Sequence, residues 1–217
     1  MGQIFHPATN TASRVSLLAA VLLVSAVAGI FASVIRSPYT TGVGVAREQP
    51  VEFSHKHHVA GLGIDCRYCH GWVEKNASAG MPSTKTCMSC HSQIWSESPT
   101  LEAVRESFRT GASIEWTRVH DLPDFVFFHH GVHVAKGVAC VACHGRVDRM
   151  PLLWREETLH MEWCLDCHRH PEAAIGPRAR VFEMEPGDTV EGGADRAEPA
   201  PDGDGILRLT NCSICHR

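Results

Sequence analysis

Five Cys-x-x-Cys-His pentapeptides are the most specific chemical signal in this sequence, and together they use all ten of its cysteines. The pentapeptide is the attachment signal for c-type haem: two thiols add to the vinyl groups, and the adjacent histidine ligates the iron. The sequence therefore predicts five covalently bound c-type haems. The attachment thiols predicted in this way are those of Cys66, Cys69, Cys87, Cys90, Cys140, Cys143, Cys164, Cys167, Cys212 and Cys215. The predicted proximal ligands are His70, His91, His144, His168 and His216.

Two other uses of paired cysteines compete with haem attachment. Ten cysteines in an exported protein could form a disulfide framework, and paired Cys-x-x-Cys units could bind zinc. Neither alternative explains why a histidine follows every one of the five pairs, in a chain with 15 histidines in 217 residues. Haem attachment is the interpretation that accounts for the whole pattern.

A Phe-x-His-x-x-His signature precedes a pair of these pentapeptides twice along the chain. In both copies a glycine follows the first pentapeptide, and a Met-Pro pair stands between the first pentapeptide and the second. The matching order of these landmarks predicts an internal duplication of a dihaem module. The signature residues are Phe53, His55 and His58 in the first copy and Phe128, His130 and His133 in the second.

The paired histidines of each signature are the candidates for the second axial position of the iron. They lie three residues apart, so one helical turn places both on the same face. One iron cannot use both, because the proximal histidine already fills one of its axial positions. We expect one histidine of each pair to bind the module's first haem and the other to bind its second. The predicted distal ligands are therefore His55, His58, His130 and His133.

Three residues compete as the distal ligand of the remaining haem, namely His120, His160 and Met161. In small trihaem cytochromes of the c7 type, which this half of the chain resembles, a histidine at the position of His160 ligates the last haem. Thioether ligation by Met161 would raise the potential of that haem. Met81 and Met150 are weaker candidates. The residues alone leave this choice open.

An uncharged apolar stretch near the N-terminus predicts a membrane-spanning helix. It runs from Val15 to Ile35, and as a helix it would be roughly 31 Å long, enough to cross the hydrocarbon core of a bilayer. A cleaved signal peptide is the alternative, because Ala26-Val27-Ala28 resembles a small-residue cleavage site. We favour an uncleaved anchor. Because covalent haem attachment takes place outside the cytoplasm, the region after this helix is expected on the periplasmic side of a bacterial inner membrane.

The segment between the two modules contains a predicted helix of its own. Pro99 suits its first turn and Gly111 its end. Leu101, Val104 and Phe108 form the expected apolar face. We interpret this helix as a spacer between the modules.

The expected fold is a multihaem cytochrome c of mostly loops and short helices around stacked haems, with c7-like (class III) duplicated dihaem modules and one N-terminal transmembrane helix. Aromatic residues make up only 7% of the chain, which is thin for a self-sufficient apolar core, so porphyrins are expected to supply much of the buried surface. The expected organisation is a cytoplasmic N-terminus (1–14), the transmembrane helix (15–35), a linker (36–52), the first dihaem module (53–97), a connecting helix and linker (98–119), the second dihaem module (120–170), an acidic Pro/Gly-rich arm (171–211) and the fifth haem attachment (212–217).

The charge balance argues against nucleic acid as a partner. The formal net charge is −4 at pH 7, and haem propionates would make the surface more acidic still. The arm at 171–211 is rich in Pro, Gly, Glu and Asp, so on its own it would be disordered. Because it joins two haem-binding stretches, at least part of it is expected to wrap over the protein or a partner.

Several stretches together resemble the pentahaem cytochrome c subunit of bacterial alternative complex III, a quinol:electron-acceptor oxidoreductase. They are FSHKHHVAGLGIDCRYCH, GMPSTKTCMSCHSQIW, WTRVHDLPDFVFFHHGVHV, CHGRVDRMP and LHMEWCLDCHRHPE. The resemblance covers nearly all of residues 53–172 and the anchor. It implies His120 and Met161 as further iron ligands beside the four signature histidines, although a histidine at 160 departs from the family pattern.

The resemblance also implies the partners of the subunit. In that family it takes electrons from an iron–sulfur subunit, which is fed by quinol oxidised at an integral membrane subunit. It delivers them to a monohaem cytochrome c or directly to a terminal oxidase.

The sequence favours an electron-transfer subunit over a catalyst, so no catalytic residue is predicted. A haem that does chemistry needs an open axial position, and this chain offers more distal candidates than irons. One alternative is a periplasmic multihaem reductase, but no Cys-x-x-Cys-Lys variant is present. Another is a membrane-anchored quinol dehydrogenase. The first haem cysteine, however, lies about 30 residues beyond Ile35, which disfavours direct quinol oxidation.

Overall fold

The structure is a computed structural model that describes residues 5–185 and 209–216. It consists of two units, residues 1–43 and 44–217. Most of the predicted acidic arm, residues 186–208, lies outside the described residues.

The first unit is built on one long helix, α1 (Ala8–Arg36). Its apolar part has a mean hydropathy of 2.6, and by length and composition it is able to cross a membrane. The helix begins seven residues before the predicted span of 15–35, because the polar residues 8–14 are helical as well. It ends where Ser37 becomes extended ahead of Pro38, which opens the short helix α2 (Pro38–Thr41).

The second unit consists of short helices and loops, as the sequence predicts. Within its described residues, β pairing is limited to two isolated bridges, Val126 with His216 and Val138 with Ile175. Its α-helices are α3 (Cys66–Cys69), α4 (Thr84–His91), α5 (Glu102–Thr110), α6 (His130–Ala135), α7 (Val141–His144), α8 (Met161–Arg169) and α9 (Cys212–Cys215). Single turns of 3-10 or π helix cover Lys56–Gly61, Pro99–Leu101, Val147–Arg149, Pro171–Ala173 and Arg178–Arg180.

The protein's own apolar core is small. Among the described residues its buried hydrophobic side chains are Val51, Val73, Leu101, Val104, Val119, Met150, Val181 and Met184. One cluster joins Val51 to Leu101 and Val104, with side chains from α4 and Trp116 packed against it. So little buried apolar surface is unusual for a domain of this length, and it agrees with the thin core predicted from the composition.

The predicted connecting helix is present, with one error in its buried face. A 3-10 turn begins at Pro99 and continues into α5, and Gly111 ends the helix with a positive φ of 77°. Leu101 and Val104 are buried as expected, but Phe108 is half exposed. Ser107 takes the inward position instead, and its hydroxyl donates to the carbonyl of Ala112 at the end of the helix.

The two predicted modules are joined by backbone hydrogen bonds that run in both directions. The amide of Lys56, just after the first signature histidine, donates to the carbonyl of Met150 in the second module. In the opposite direction, the amides of His130 and Gly131 donate to carbonyls of residues 76 and 77 in the first module. A Cβ on Gly131 would lie 2.9 Å from the carbonyl oxygen of Glu74, so glycine permits this close approach.

Part of the predicted acidic arm packs on the second module. The amide of Cys140 donates to the carbonyl of Val181, and the Val181 side chain is almost fully buried. Nearby, Gly176 donates to the carbonyl of Gly137, beside the bridge between Val138 and Ile175. The beginning of the arm therefore closes over the third pentapeptide.

A bidentate ion pair follows the third pentapeptide, and it supplies a stability prediction. Arg146 donates to both carboxylate oxygens of Asp148, at 2.8 and 2.6 Å, and Asp148 is 8% exposed. We expect Asp148→Asn to lower the midpoint of thermal unfolding at pH 7 by several degrees, because a buried charge-assisted pair is lost. Asp65→Asn is the matched control: the Asp65–Arg67 pair has the same spacing but is about half exposed, so its loss should change the midpoint little.

The pH dependence of that difference has a defined sign. The hydrogen bond from Arg146 holds the pKa of Asp148 below its ordinary value. The stabilisation is therefore present above the ordinary pKa, about 4, and is lost as the pH falls through the lower folded-state value. Wild type and Asp148→Asn should converge in acid. If wild type were more stable than Asp148→Asn only below pH 4, the lowered pKa of Asp148 would be contradicted.

Candidate haem-binding sites

Each of the five pentapeptides lies on a single helical turn. Three of them coincide with the one-turn helices α3, α7 and α9, and the other two occupy the C-terminal parts of α4 and α8. Helical geometry brings cysteines three residues apart onto one face. Two of the turns are capped by the residue before the motif: Asp65 accepts from the amide of Arg67, and Asn211 from the amide of Ser213.

Eight of the ten cysteines are partly buried, and Cys90 and Cys212 are exposed. All ten are described, and none of them pairs in a disulfide. Burial raises the pKa of Cys140 to about 11 and that of Cys143 to about 12. Burial also raises the pKa of Cys66, Cys69, Cys87, Cys164 and Cys167. The surroundings of these thiols therefore suit an apolar macrocycle.

Electrostatic coupling between cysteine thiols shows which of the pentapeptides are neighbours. The second motif neighbours the first through Cys87 and Cys69, and the first neighbours the third through Cys66 and Cys140. The third neighbours the fourth through Cys143 and both cysteines of that motif, and Cys164 of the fourth neighbours Cys215 of the fifth. The neighbouring pairs therefore include the first and third motifs, which are not consecutive along the chain.

The two Phe-x-His-x-x-His signatures form the same three-ring arrangement. Phe53 stacks on the ring of His58 at 4.4 Å and meets His55 edge-on at 4.9 Å. In the second copy the corresponding centroid distances from Phe128 are 4.5 Å and 4.7 Å, again stacked and edge-on. The shared ring geometry supports the duplication that the sequence suggests.

Three signature histidines face a proximal histidine at a common distance. The ring centroids of the pairs are 6.1 to 6.3 Å apart. Two metal–imidazole bonds of about 2 Å, with each ring centre about 1 Å behind its nitrogen, predict about 6 Å for two imidazoles on opposite sides of one metal. The separation therefore fits an iron between the rings. The pairs are His58 with His91, His130 with His144, and His133 with His168.

Hydrogen bonds hold most of these rings by Nδ1 and leave Nε2 available. Four of the five proximal histidines donate Nδ1–H to backbone carbonyls, at 2.8 to 3.2 Å. Three signature histidines do the same at 2.7 to 2.9 Å. Such bonds fix the tautomer and ring orientation of a metal-binding histidine. The proximal acceptors are the carbonyls of Gly80, Ile94, Leu209 and Phe125 for His70, His91, His168 and His216.

The remaining signature histidine, His55, is half-buried next to the first motif. Its Nδ1 has no hydrogen-bond partner among the described residues. Burial, and then the neighbouring His70, lower the pKa of His55 to about 4. A neutral imidazole is the form that binds a metal. By the duplication, His55 corresponds to His130, so its expected partner is His70.

The three candidates for the fifth distal ligand lie in different surroundings. The ring of His120 contacts His144, with its Nε2 3.3 Å from Nδ1 of that proximal histidine. His160 is the residue at the N-terminal cap of α8, and Met161 after it is 63% exposed. Of the two weaker candidates, Met150 is fully buried by packing, whereas Met81 is exposed.

Large aromatic side chains stand exposed around the motifs. Trp72, Trp95, Phe125 and Phe127 are each at least half exposed, although Phe125 stacks on the ring of His216 at 5.8 Å. Exposed apolar surface of this extent marks a ligand site or an interface. Together with the paired imidazoles and paired thiols, it shows that the residues fit c-type haem.

The backbone carbonyls that hold the histidines were not found from the sequence. Leu209 belongs to the segment interpreted as part of the acidic arm, yet its carbonyl holds His168. Phe125 lies 91 residues from the His216 ring that it holds. Because every residue carries a carbonyl, no residue type could have marked these positions.

Comparison with known proteins bears on the type of fold. Residues 51–103 match the family model described as cytochrome c7 and related cytochrome c. Over 104 residues the chain is 39% identical to the menaquinone reductase, multiheme cytochrome c subunit, of Nitratidesulfovibrio vulgaris. The matched part is 48% of this chain and 49% of that relative, so the chain spans about half the length of the curated relative it matches. With its helices, loops and haem-attachment motifs, the chain has a cytochrome c7-like multihaem fold.

Proposed function

We propose that this protein is a membrane-anchored pentahaem cytochrome c that relays electrons within a quinone-linked respiratory complex. The observation that carries the proposal is the set of three imidazole pairs separated by 6.1 to 6.3 Å. Each of these imidazole pairs would hold a haem iron from both sides, and a haem held in this way would supply electron exchange rather than substrate binding. The haems supply the one-electron chemistry, and the chain supplies attachment, ligation and spacing.

The ligand assignment follows from the ring pairs and the duplication. We assign His58, His130 and His133 as distal partners of His91, His144 and His168, and His55 as the partner of His70. For His216 the candidates are His160 and Met161. The position of Met161 at the start of α8 leaves its thioether accessible, and thioether ligation would give this site a higher potential than the bis-histidine sites.

The residues around these ligands perform the second part of the function, which is to keep each site rigid. The Nδ1 hydrogen bonds hold the imidazoles in one orientation, and the phenyl rings of Phe53 and Phe128 pack against both distal histidines of their modules. Rigid ligation keeps the geometry similar in the two oxidation states, so little reorganisation accompanies electron transfer.

We further propose that the complex is alternative complex III. Its partners would be the iron–sulfur and integral membrane subunits of that complex, with a monohaem cytochrome c or a terminal oxidase as acceptor. The helix α1 would anchor the haem domain on the periplasmic side of the bacterial inner membrane. The support is the resemblance of the motif-bearing stretches and the apolar length of α1.

A second candidate function is favoured by the curated relative, which is named as a subunit of a menaquinone reductase. The same relay would then carry electrons in the opposite direction, from a periplasmic donor to menaquinone. Both candidates use the same ligand sets, so the haem-binding residues do not distinguish them.

The direction of electron flow separates the two functions. We expect the complex purified from native membranes to contain an iron–sulfur subunit and to show haem reduction within seconds of adding menaquinol, with reoxidation by a monohaem cytochrome c. The matched control is the same complex treated with a quinol analogue that cannot be oxidised. Reduction by a periplasmic cytochrome together with net menaquinol formation would favour the reductase function instead.

A further inference from the structure

His120 contacts the proximal histidine of the third pentapeptide from its outer side. Nε2 of His120 lies 3.3 Å from Nδ1 of His144, and the two ring centroids are 4.4 Å apart at an angle of 73°. On its other side, His144 faces His130 at 6.3 Å. The spacing of 4.4 Å is too short for an iron between two imidazoles, whereas the spacing of 6.3 Å fits one.

This contact sets His144 apart from the other four proximal histidines. Those four donate Nδ1–H to a backbone carbonyl, but His144 meets an imidazole nitrogen at the same place. If Nε2 of His144 binds iron, its Nδ1 carries the proton, and Nε2 of His120 must be the acceptor. The proton of His120 then resides on its own Nδ1.

The backbone on both sides of His120 is held by one arginine. Arg155 donates from Nε and Nη2 to the carbonyl of Val119, at 3.1 and 2.9 Å, and from Nη2 to the carbonyl of Asp121 at 3.5 Å. Val119 itself is buried. These hydrogen bonds fix the backbone on both sides of His120 and so restrict where its ring can lie.

We propose that His120 is a positioning residue that accepts a hydrogen bond from His144 and is not an iron ligand. The proposal rests on the proposed function, since it needs a haem on Cys140 and Cys143. An acceptor at Nδ1 raises the basicity of a ligating imidazole and so stabilises the oxidised metal. His120 would thereby lower the potential of the haem attached to Cys140 and Cys143.

Two substitutions and one control test this assignment in the full-length protein. His120→Phe keeps a ring of similar size but removes the acceptor, whereas His120→Gln keeps an acceptor. His170→Phe is the matched control, because its exposed side chain makes only a 3.8 Å contact with Glu172. Each variant is measured by redox titration, by low-spin signals in electron paramagnetic resonance and by carbon monoxide binding after reduction.

The expected result is that His120→Phe keeps every low-spin haem and shifts one titration component. Its reduced-to-oxidised ratio at a fixed applied potential should rise by roughly tenfold, which is about 59 mV for a one-electron couple. His120→Gln should recover most of this shift, and His170→Phe should show none.

Two outcomes would overturn the proposal. A new high-spin, carbon monoxide-binding haem in His120→Phe would make His120 an iron ligand. Unchanged potentials with all haems low-spin would make it a packing residue without influence on the iron. Failure of the proposed function is distinguishable, because it would appear in the wild type as fewer than five haems or as carbon monoxide binding before any substitution.

Discussion

Replacing His58 with alanine is expected to open one iron of the five to exogenous ligands. The ring of His58 faces His91 at 6.2 Å, its Nδ1 is held by the carbonyl of Ser54, and Phe53 stacks on it at 4.4 Å. Without this ring the haem on the second motif loses its sixth ligand. The variant should show one high-spin haem, carbon monoxide binding after reduction, and a loss of electron transfer through that haem.

The neighbouring histidine provides the matched control for His58→Ala. His57 stacks at 6.0 Å on the exposed Trp95, and it is not among the predicted ligands. His57→Ala should therefore leave all haems low-spin. The duplication adds a second check, because His133→Ala should repeat the effect of His58→Ala on the fourth motif. Carbon monoxide binding by the wild type at the same level as His58→Ala would contradict the assignment.

Replacing Gly137 with alanine is expected to produce the largest loss of stability. Gly137 has a φ of +85°, and a Cβ there would collide with the backbone carbonyl oxygen of Gly176. Neither group can move without breaking the bond from the amide of Gly176 to the carbonyl of Gly137 and the adjoining bridge. We expect a loss of about 4 kcal/mol or more in the free energy of unfolding, measured by thermal or denaturant unfolding in detergent.

Gly111→Ala separates the collision at Gly137 from simple backbone strain. Gly111 has a similar φ of +77° at the end of α5, but nothing lies within 4 Å of the position that its Cβ would take. Its substitution should cost only the strain of the left-handed conformation, about 1 kcal/mol. Equal stability losses at the two glycines would show that the contact between residues 137 and 176 does not hold the arm on the second module.

The features that could be predicted from the sequence are those in which the chemistry requires one particular residue type. The pentapeptides require two thiols and a histidine at fixed spacing, so the multihaem fold was predictable, and the family match over residues 51–103 confirms its type. The helix from Pro99 to Gly111 was predictable for a similar reason, since proline and glycine restrict where helices begin and end. Its buried face was not, because Phe108 is half exposed and Ser107 packs inward.

Hydrogen bonds between distant segments could not be predicted, because backbone groups make them and every residue carries the same groups. The carbonyls that hold His168 and His216 belong to Leu209 and Phe125, and neither residue type indicates this role. The order of the motifs in space could not be read from their order along the chain either. It depends on how the two modules exchange backbone hydrogen bonds, for example from Lys56 to the carbonyl of Met150.

The position of His120 shows where residue type alone leaves two uses open. A histidine near several haem motifs is chemically able to bind iron, so it counted as a distal candidate. Its contact with Nδ1 of His144 gives the same imidazole a different use. Only the distance between the two rings, 4.4 Å rather than about 6 Å, separates a hydrogen-bond partner from a ligand.

The mass of the intact chain under denaturing conditions tests the central claim most directly, because covalent haems stay attached when all other contacts are lost. We expect the mass of the polypeptide plus five haem groups, with no thiol left for alkylation. A mass with fewer than five haem groups, or with cysteines that are free for alkylation or paired in disulfides, would contradict the assignment of five covalent haems.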